Sequence, residues 1–303
     1  MGYVMHLSIN PLYRCNFRCT RCYLSPQQLG DKTLLDLDFL ENTLARLPPL
    51  DYVELYGGEI TLLPEAYVTQ MVAIIKRYYH GKISIITNLF LVPDYFYDPC
   101  FELSVSYDFE HRPHHERVLE NIATLGREIA VIVLATPEVM QGDVDAQIST
   151  LMAFKHITKV DIKPYSNNAY NSALGTNRAY AQYVRYWIEH ADPDRLKNVD
   201  VLETVVAGTR NAFSSDHLYI TPDSQLAVLE FDHQDREYFL PLKDYGAYLD
   251  WCQHERTKVA AMACQQCPYK GRCLTEHYRN HEGVFDECSG FRSLIDWYVA
   301  TEA

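Results

Sequence analysis

Residues 15–22 decide the fold: their sequence is Cys15-Asn-Phe-Arg-Cys19-Thr-Arg-Cys22, and they follow closely on the strand-like stretch Tyr3–Asn10. The three cysteines therefore occupy a loop at the carboxyl end of a predicted strand, where α/β sheets build their active sites. Three thiolates so close in sequence can hold three corners of an iron–sulfur cube and leave one iron open to a ligand or substrate. On spacing alone, a zinc site completed by a distant Cys or His is the alternative.

The composition limits the compartment and the partners. The chain has 303 residues, 48% of them hydrophobic, which is enough for a full core. No run of about 18 apolar residues exists, so we expect no membrane span. The first ten residues lack a secretory signal, so we expect a cytoplasmic protein. A formal charge of −13 disfavours nucleic acid as a partner, because phosphate backbones are negative.

Strand-like and helical patterns alternate along the first part of the chain. The predicted strands are Tyr3–Asn10, Tyr52–Tyr56, Lys82–Thr87, Glu102–Tyr107, Ile129–Ala135 and Thr158–Lys163. The predicted helices are Leu37–Leu47, Pro64–Tyr79, His115–Leu125, Val144–Phe154 and Tyr180–His190. This alternation indicates an α/β protein with a parallel sheet covered by helices. Six units are too few for an eight-unit barrel, so the sheet is either a partial barrel or doubly wound.

The pattern changes near residue 200, where we place a boundary between a core of residues 1–200 and a smaller domain of residues 201–303. Leu218–Thr221 and Gln225–Phe231 flank a turn sequence at residues 222–224, which predicts a hairpin. Helices are predicted at Asp244–Glu255 and Ser289–Val299.

A second group of cysteines lies in this C-terminal part. Cys264, Cys267 and Cys273 follow one another at metal-ligand spacing, and Cys288 supplies a fourth thiolate. Four protein ligands predict a closed site, which is either an iron–sulfur cluster or structural zinc. A zinc site with three cysteines and His277 fits the spacing as well.

The N-terminal triplet resembles that of the radical S-adenosylmethionine (radical SAM) superfamily. The resemblance implies a partial (β/α)6 TIM-like barrel and a [4Fe–4S] cluster held by Cys15, Cys19 and Cys22. In that family the open iron binds S-adenosylmethionine (SAM), and the reduced cluster cleaves it to a 5′-deoxyadenosyl radical that abstracts a substrate hydrogen. It also implies an external one-electron reductant of the flavodoxin or ferredoxin type.

Other positions extend the resemblance to the SAM site. The stretch Tyr56-Gly57-Gly58-Glu59 is similar to the family's Gly-Gly-Glu motif, in which glycines admit the ligand and the carboxylate binds the SAM amino group. Asn88 and Ser106 end the third and fourth strands and are similar to SAM-contacting positions there. The family's aromatic residue before the third cysteine is Arg21 here, so Tyr23 or the stem of Arg21 is expected to contact adenine.

The stretch 111–117 follows the fourth strand. We interpret it as a solvated loop; the alternative is that Arg112 or Arg117 meets the SAM carboxylate or the substrate.

The C-terminal cysteines resemble those of the SPASM domain and its shorter relative, the twitch domain. The positions that this chain lacks, now Ser224, Leu229 and His277, belong to one auxiliary cluster of the full pattern. The retained Cys264, Cys267, Cys273 and Cys288 form the complete set of the other. The resemblance therefore implies one auxiliary [4Fe–4S] cluster with no open iron.

The resemblance implies a peptide or protein maturase that cross-links, oxidises or epimerises a residue. A small-molecule dehydrogenase or isomerase, acting on a sugar, nucleoside or amino-acid derivative, is the alternative. The small-molecule alternative is favoured because the first strand is predicted to begin at about Tyr3, which leaves no room for a leader-binding domain. Cys252 is interpreted first as a core residue; the alternatives are a further cluster ligand and a catalytic thiol that returns hydrogen to a substrate radical. A non-catalytic zinc–cysteine protein is the remaining class.

Overall fold

The computed structural model describes residues 5–165, 177–212, 217–231, 237–260, 266–274, 288 and 291–302, which form one nine-stranded sheet with helices packed against it. The six predicted strands are confirmed: β1 His6–Ile9, β2 Tyr52–Leu55, β3 Ile83–Thr87, β4 Phe101–Ser106, β5 Ile129–Ala135 and β6 Ile157–Pro164. No helix among the described residues is long and apolar enough to cross a membrane.

The five predicted helices of the core are present, and a short helix, α4 Pro137–Gln141, was not predicted. In chain order, the core contains α1 Leu37–Leu44, α2 Glu65–Tyr78, α3 His115–Thr124, α4 Pro137–Gln141, α5 Val144–Met152, α6 Asn177–His190 and α7 Lys197–Val206. Side-chain caps fix several of the starts, because Asp36, Thr136 and Asp143 each accept a backbone N–H of the first turn. Helix α7 was not predicted, and residue 200 lies within it.

The strand order decides between the two predicted architectures. The first six strands are parallel and lie in the order β6-β5-β4-β3-β2-β1, without the reversal that a doubly wound sheet requires. A sheet wound in one direction carries its helices on one face, as in a barrel. The partial (β/α)6 barrel is therefore the correct choice.

The C-terminal part extends this sheet beyond β1. Strand β7, His217–Thr221, pairs in parallel with β1, and β8, Gln225–Phe231, returns antiparallel as the predicted hairpin. Ser224 occupies the turn with a φ of 58°, the left-handed conformation that glycine adopts most readily. Strand β9, Glu237–Leu242, was not predicted, and the chain continues in α8 Tyr245–Ala260 and α9 Arg292–Glu302.

The two faces of the sheet differ in chemistry. Residues such as Leu7, Val53 and Val131 are fully buried in the main core on one face. The alternate residues point to the other face, which includes the apolar Ile86, Ala130, Ile132 and Leu134. Many of its other residues are polar, and we call it the polar face: His6, Ser8, Tyr52, Glu54, Ser84, Glu102, Ser104, Asp161, Lys163, His217 and Tyr219. Burial and then Glu54 raise the pKa of Tyr52, on which Glu102 of β4 and Lys163 of β6 also act.

Candidate active site

The cysteine triplet lies in the loop after β1, as predicted. The loop is held by backbone hydrogen bonds, since Cys15 N–H donates to Leu29 O at 3.2 Å and Cys22 N–H donates to Cys19 O at 3.2 Å. Backbone amides also point at two sulfurs: Phe17 N lies 3.4 Å from Cys15 Sγ and Leu24 N lies 3.4 Å from Cys22 Sγ. N–H groups aimed at sulfur stabilise thiolates, which is the form that binds metal.

The protonation of the thiols reflects their burial. Burial, followed by Glu59 and the other two thiols of the triplet, raises the pKa of Cys15 to about 11, and the hydrogen bond from Phe17 opposes this shift. Burial also raises the pKa of Cys19 and of Cys22, and the Arg112 guanidinium works in the opposite direction on both. Three thiols that are partly buried and close together are stabilised as anions when a cation lies among them.

The donor set of the cysteine loop fits an iron–sulfur cluster. Three thiols lie in one loop, and backbone amides are directed at two of their sulfurs. Three thiolates can hold three irons of a [4Fe–4S] cube, which would supply one-electron chemistry when bound.

The Gly-Gly-Glu stretch packs directly under the cysteine loop. Gly58 N–H donates to Leu12 O and Glu59 N–H donates to Arg14 O, both at 2.9 Å. A Cβ on Gly58 would lie 2.1 Å from Arg14 O, and Gly57 has a φ of 149°, which favours glycine. Side chains at these two positions would push the loop away from the strand, so the glycines set its position.

Glu59 is almost fully buried and joins three parts of the site. Its carboxylate accepts hydrogen bonds from both the N–H and the hydroxyl of Thr61, from the Thr87 hydroxyl at 2.7 Å, and from Asn88 N–H at 2.7 Å. Burial raises its pKa, and these four donors lower it. Only the Asn88 bond reaches Oε2, which keeps room for a further donor such as an ammonium group.

Asn88 links the end of β3 to the cysteine loop. Its side-chain Nδ2 donates to Asn16 Oδ1 at 2.8 Å and lies 4.0 Å from Cys15 Sγ. Ser106 is the last residue of β4 and is half-buried. The structure thus brings Asn88 to the triplet, while the SAM contacts of Asn88 and Ser106 stay predictions.

Arg112 is the exception to the interpretation of residues 111–117 as a solvated loop. Its side chain is 14% exposed and forms a two-nitrogen ion pair with Asp108, through Nε at 3.0 Å and Nη2 at 2.6 Å. The third nitrogen, Nη1, lies 4.0 Å from Cys19 Sγ. Exposed residues of the stretch match the solvated interpretation: His111, His114, Glu116 and Arg117, the last of which pairs with Glu120 on α3. The interpretation is wrong for Arg112 because its charged partner, Asp108, follows the end of β4.

Tyr23 and Arg21 flank the third cysteine and point to different sides of the site. The Tyr23 hydroxyl donates to Gly57 O at 3.3 Å, and its ring stacks on Tyr56 at 5.5 Å between centroids. Arg21 forms an ion pair with Glu138 and lies over the Tyr165 ring at 5.6 Å. The cysteine loop is thereby joined to β2 on one side and to the β5 and β6 ends on the other. Adenine binding by Tyr23 stays a prediction.

The C-terminal cysteines are only partly described. Cys264 and His277 lie outside the described residues. Cys267 and Cys273 flank a turn, and Arg210 Nε donates to Cys273 O at 2.9 Å. Cys288 is exposed, and Asn177 Nδ2 donates to its carbonyl at 3.4 Å. The auxiliary cluster on these four cysteines stays a prediction.

Cys252 lies in α8 within the hydrophobic core and is 6% exposed. Tyr248, one turn before it, contacts Met5 at the amino end of β1, whereas the cysteine triplet follows the carboxyl end. This surrounding favours the core position over the reactive thiol, which stays a prediction.

One polar network on the polar face was missed by the sequence reasoning. The fully buried Ser8 hydroxyl donates to Glu54 Oε1 and lies 2.7 Å from His217 Nε2. The three residues come from β1, β2 and β7. Polar residues at alternate positions of predicted strands were the available signal for Ser8 and Glu54, but nothing local connects them to His217.

Known proteins resemble this chain in structure only. No protein-family model and no curated protein matches it. The AdoMet-bound anaerobic sulfatase-maturing enzyme anSMEcpe matches with a TM-score of 0.70 at 14% identity, over 98% of this chain and 97% of that chain. SuiB of Streptococcus suis, bound to S-adenosylmethionine, matches with a TM-score of 0.63 at 14% identity, over 92% and 77%.

SuiB bound to its precursor peptide SuiA also matches, with a TM-score of 0.55 at 13% identity, over 75% of this chain and 59% of that chain. Both neighbours are SPASM-type radical SAM enzymes. This chain therefore has the fold of that class, and the fold expected from the resemblance is confirmed.

Proposed function

We propose that this chain is a radical SAM enzyme that matures a peptide or protein. The observation that carries the proposal is the cysteine triplet at the carboxyl end of β1, positioned over Gly57 and Gly58. Three half-buried thiols in one loop suit a cluster with three protein ligands and one open iron, which would bind SAM. The cluster would be reduced by a flavodoxin- or ferredoxin-type donor, and we place the enzyme in the cytoplasm.

The neighbours support a peptide substrate. SuiB has been seen with its precursor peptide and anSMEcpe with the Cp18Cys peptide. The polar face supplies a carboxylate, hydroxyls and imidazoles to a substrate, which suits peptide groups. It suits a polar small molecule equally, so a small-molecule dehydrogenase or isomerase is the second candidate. The auxiliary cluster of Cys264, Cys267, Cys273 and Cys288 would accept an electron from the substrate.

Anaerobic reconstitution with iron and sulfide quantitation tests the proposal. We expect about eight irons in the wild type and about four in the Cys15→Ala/Cys19→Ala/Cys22→Ala variant. With dithionite and SAM, 5′-deoxyadenosine should form only with the wild type. Cys100→Ala is the matched control, since Cys100 belongs to neither cysteine group, and it should behave as the wild type. A wild type with no iron and no deoxyadenosine would refute the proposal.

A further inference from the structure

Arg112 is a buried cation that the fold holds in a fixed direction. Asp108 Oδ2 accepts from Nε and Nη2 of Arg112, and Asp108 Oδ1 accepts from Leu134 N–H at 2.8 Å. Both side chains are mostly buried, at 14% and 12% exposed. Two nitrogens of the guanidinium donate to the same oxygen, Asp108 Oδ2, and the backbone of β5 holds the other oxygen of Asp108, so the buried guanidinium has limited freedom to reorient and its third nitrogen stays on the side of the cysteine loop.

The free end of this ion pair faces the cysteine triplet. Nη1 lies 4.0 Å from Cys19 Sγ, and the guanidinium interacts electrostatically with Cys15 and Cys22 as well. The pair is neutral overall, but its positive end is the end nearest the sulfurs. In a site with little water such a dipole acts strongly on any group that changes charge beside it.

Reduction of an iron–sulfur cluster adds one negative charge to it. A cation or N–H donor directed at the sulfurs stabilises the reduced state, and hydrogen bonds to sulfur and local charge are among the factors that set cluster potentials. On the basis of the proposed function, we propose that Arg112, oriented by Asp108, is a positioning residue that raises the reduction potential of the cluster on Cys15, Cys19 and Cys22. It acts through Cys19 and makes the cluster easier for a biological reductant to reduce.

The test is a potentiometric titration of the holoenzyme followed by electron paramagnetic resonance, without SAM. The spectrum of the Cys15→Ala/Cys19→Ala/Cys22→Ala variant is subtracted to remove any auxiliary cluster. We expect Arg112→Gln to shift the equilibrium about tenfold towards the oxidised cluster at a given potential, which is about 59 mV for one electron. Arg112→Lys keeps the charge and should lie between the two. Arg117→Gln removes an exposed arginine five residues away and should leave the potential unchanged.

Two further measurements separate an effect on the reduction potential from effects on folding and on SAM binding. Arg112→Gln leaves Asp108 buried without its cation, which destabilises the fold and adds an unpaired negative charge near the cluster; the Asp108→Asn/Arg112→Gln double variant is neutral at both positions and should still show a potential below the wild type, by less than Arg112→Gln. SAM affinity is measured on every variant. A weaker SAM affinity with an unchanged potential would make Arg112 a ligand of the SAM carboxylate and overturn the proposal.

Two further outcomes distinguish a failure of this inference from a failure of the proposed function. A lower iron content in Arg112→Gln, with the wild-type potential in the clusters that remain, would mean a purely structural role and would overturn the inference alone. A wild type that takes up no cluster on Cys15, Cys19 and Cys22 would overturn the proposed function and this inference with it. The iron count separates these two failures.

Discussion

The two cysteine groups of this chain are supported in different ways. The N-terminal triplet lies against three segments of the core, which follow β2, β3 and β4 and contribute Gly58, Glu59, Asn88 and Arg112. Among the described C-terminal cysteines, Cys267 and Cys273 flank a turn, Arg210 donates to the carbonyl of Cys273, and Asn177 donates to the carbonyl of Cys288. We therefore expect the position of the first group to depend on core packing, and the proposed metal to contribute more to stability at the second group. Four experiments can sharpen or break this contrast.

The largest effect is expected from removing one ligand in each group. Cys273→Ser should lower the unfolding free energy of the reconstituted protein by more than about 3 kcal/mol, because metal binding to a site absent from the unfolded chain contributes directly to folding. Cys19→Ser should cost less than about 1.5 kcal/mol while removing about four irons. Urea unfolding and iron analysis on both variants measure this. Equal losses of stability would contradict the contrast.

Gly58→Ala tests whether the first site depends on close backbone packing. The new methyl group would lie 2.1 Å from Arg14 O and 2.3 Å from Tyr13 O, so the cysteine loop must move. We expect a loss of about 2–3 kcal/mol in unfolding free energy and a lowered iron content. Gly30→Ala is the control, because nothing lies within 4 Å of its added Cβ. Full iron loading of Gly58→Ala would show that iron binding by the cysteine loop does not depend on close packing against Gly58.

Arg210→Ala tests the attachment of the second group. The variant loses the bond from Nε to Cys273 O, and we expect a cost of about 1 kcal/mol, with a larger loss in the apo form than in the reconstituted protein. Lys270→Ala, an exposed lysine of the same segment, should change neither. Thermal unfolding of the apo and reconstituted forms measures these losses. Identical losses of stability in the two forms would argue against a stabilising contribution of metal at this site.

The smallest effect is expected at Arg21. Its ion pair with Glu138 is partly exposed, with side chains 21% and 45% accessible, so Arg21→Ala should cost less than about 1 kcal/mol. The measurement is urea unfolding at low and high salt, with Arg77→Ala as an exposed ion-pair control. A loss well above that of the control would mean that Arg21 fixes the cysteine loop as firmly as the glycines do.

Local patterns predicted most of the core, and long-range pairing explains what they missed. The β-branched strands and the Asp and Thr caps act within a few residues, so β1 to β6 and the hairpin at Ser224 followed from the sequence. Strand β9 escaped because Pro241 lies within it, a residue that usually excludes a strand and is tolerated at a sheet edge.

The site shows the same limit. The spacing of Cys15, Cys19 and Cys22 is local and was sufficient to predict their loop. The contact of Arg112 with Cys19 and of His217 with Ser8 joins residues 93 and 209 positions apart, and no periodicity encodes such pairs. Conversely, Cys252 was singled out from its residue type alone, and only burial in α8 shows why a core role suits it.

Strand β1 lies between β2 and β7, so its second neighbour comes from residues 217–221. On a ribosome that adds about 5–20 residues per second, the first strand waits roughly 10–40 s for that partner to be made. During this interval one row of its N–H and C=O groups is unpaired, next to the three thiols of the nascent loop. Translation speed and anaerobic handling of the growing chain should therefore affect the yield of soluble protein more than they would in a barrel closed by consecutive strands.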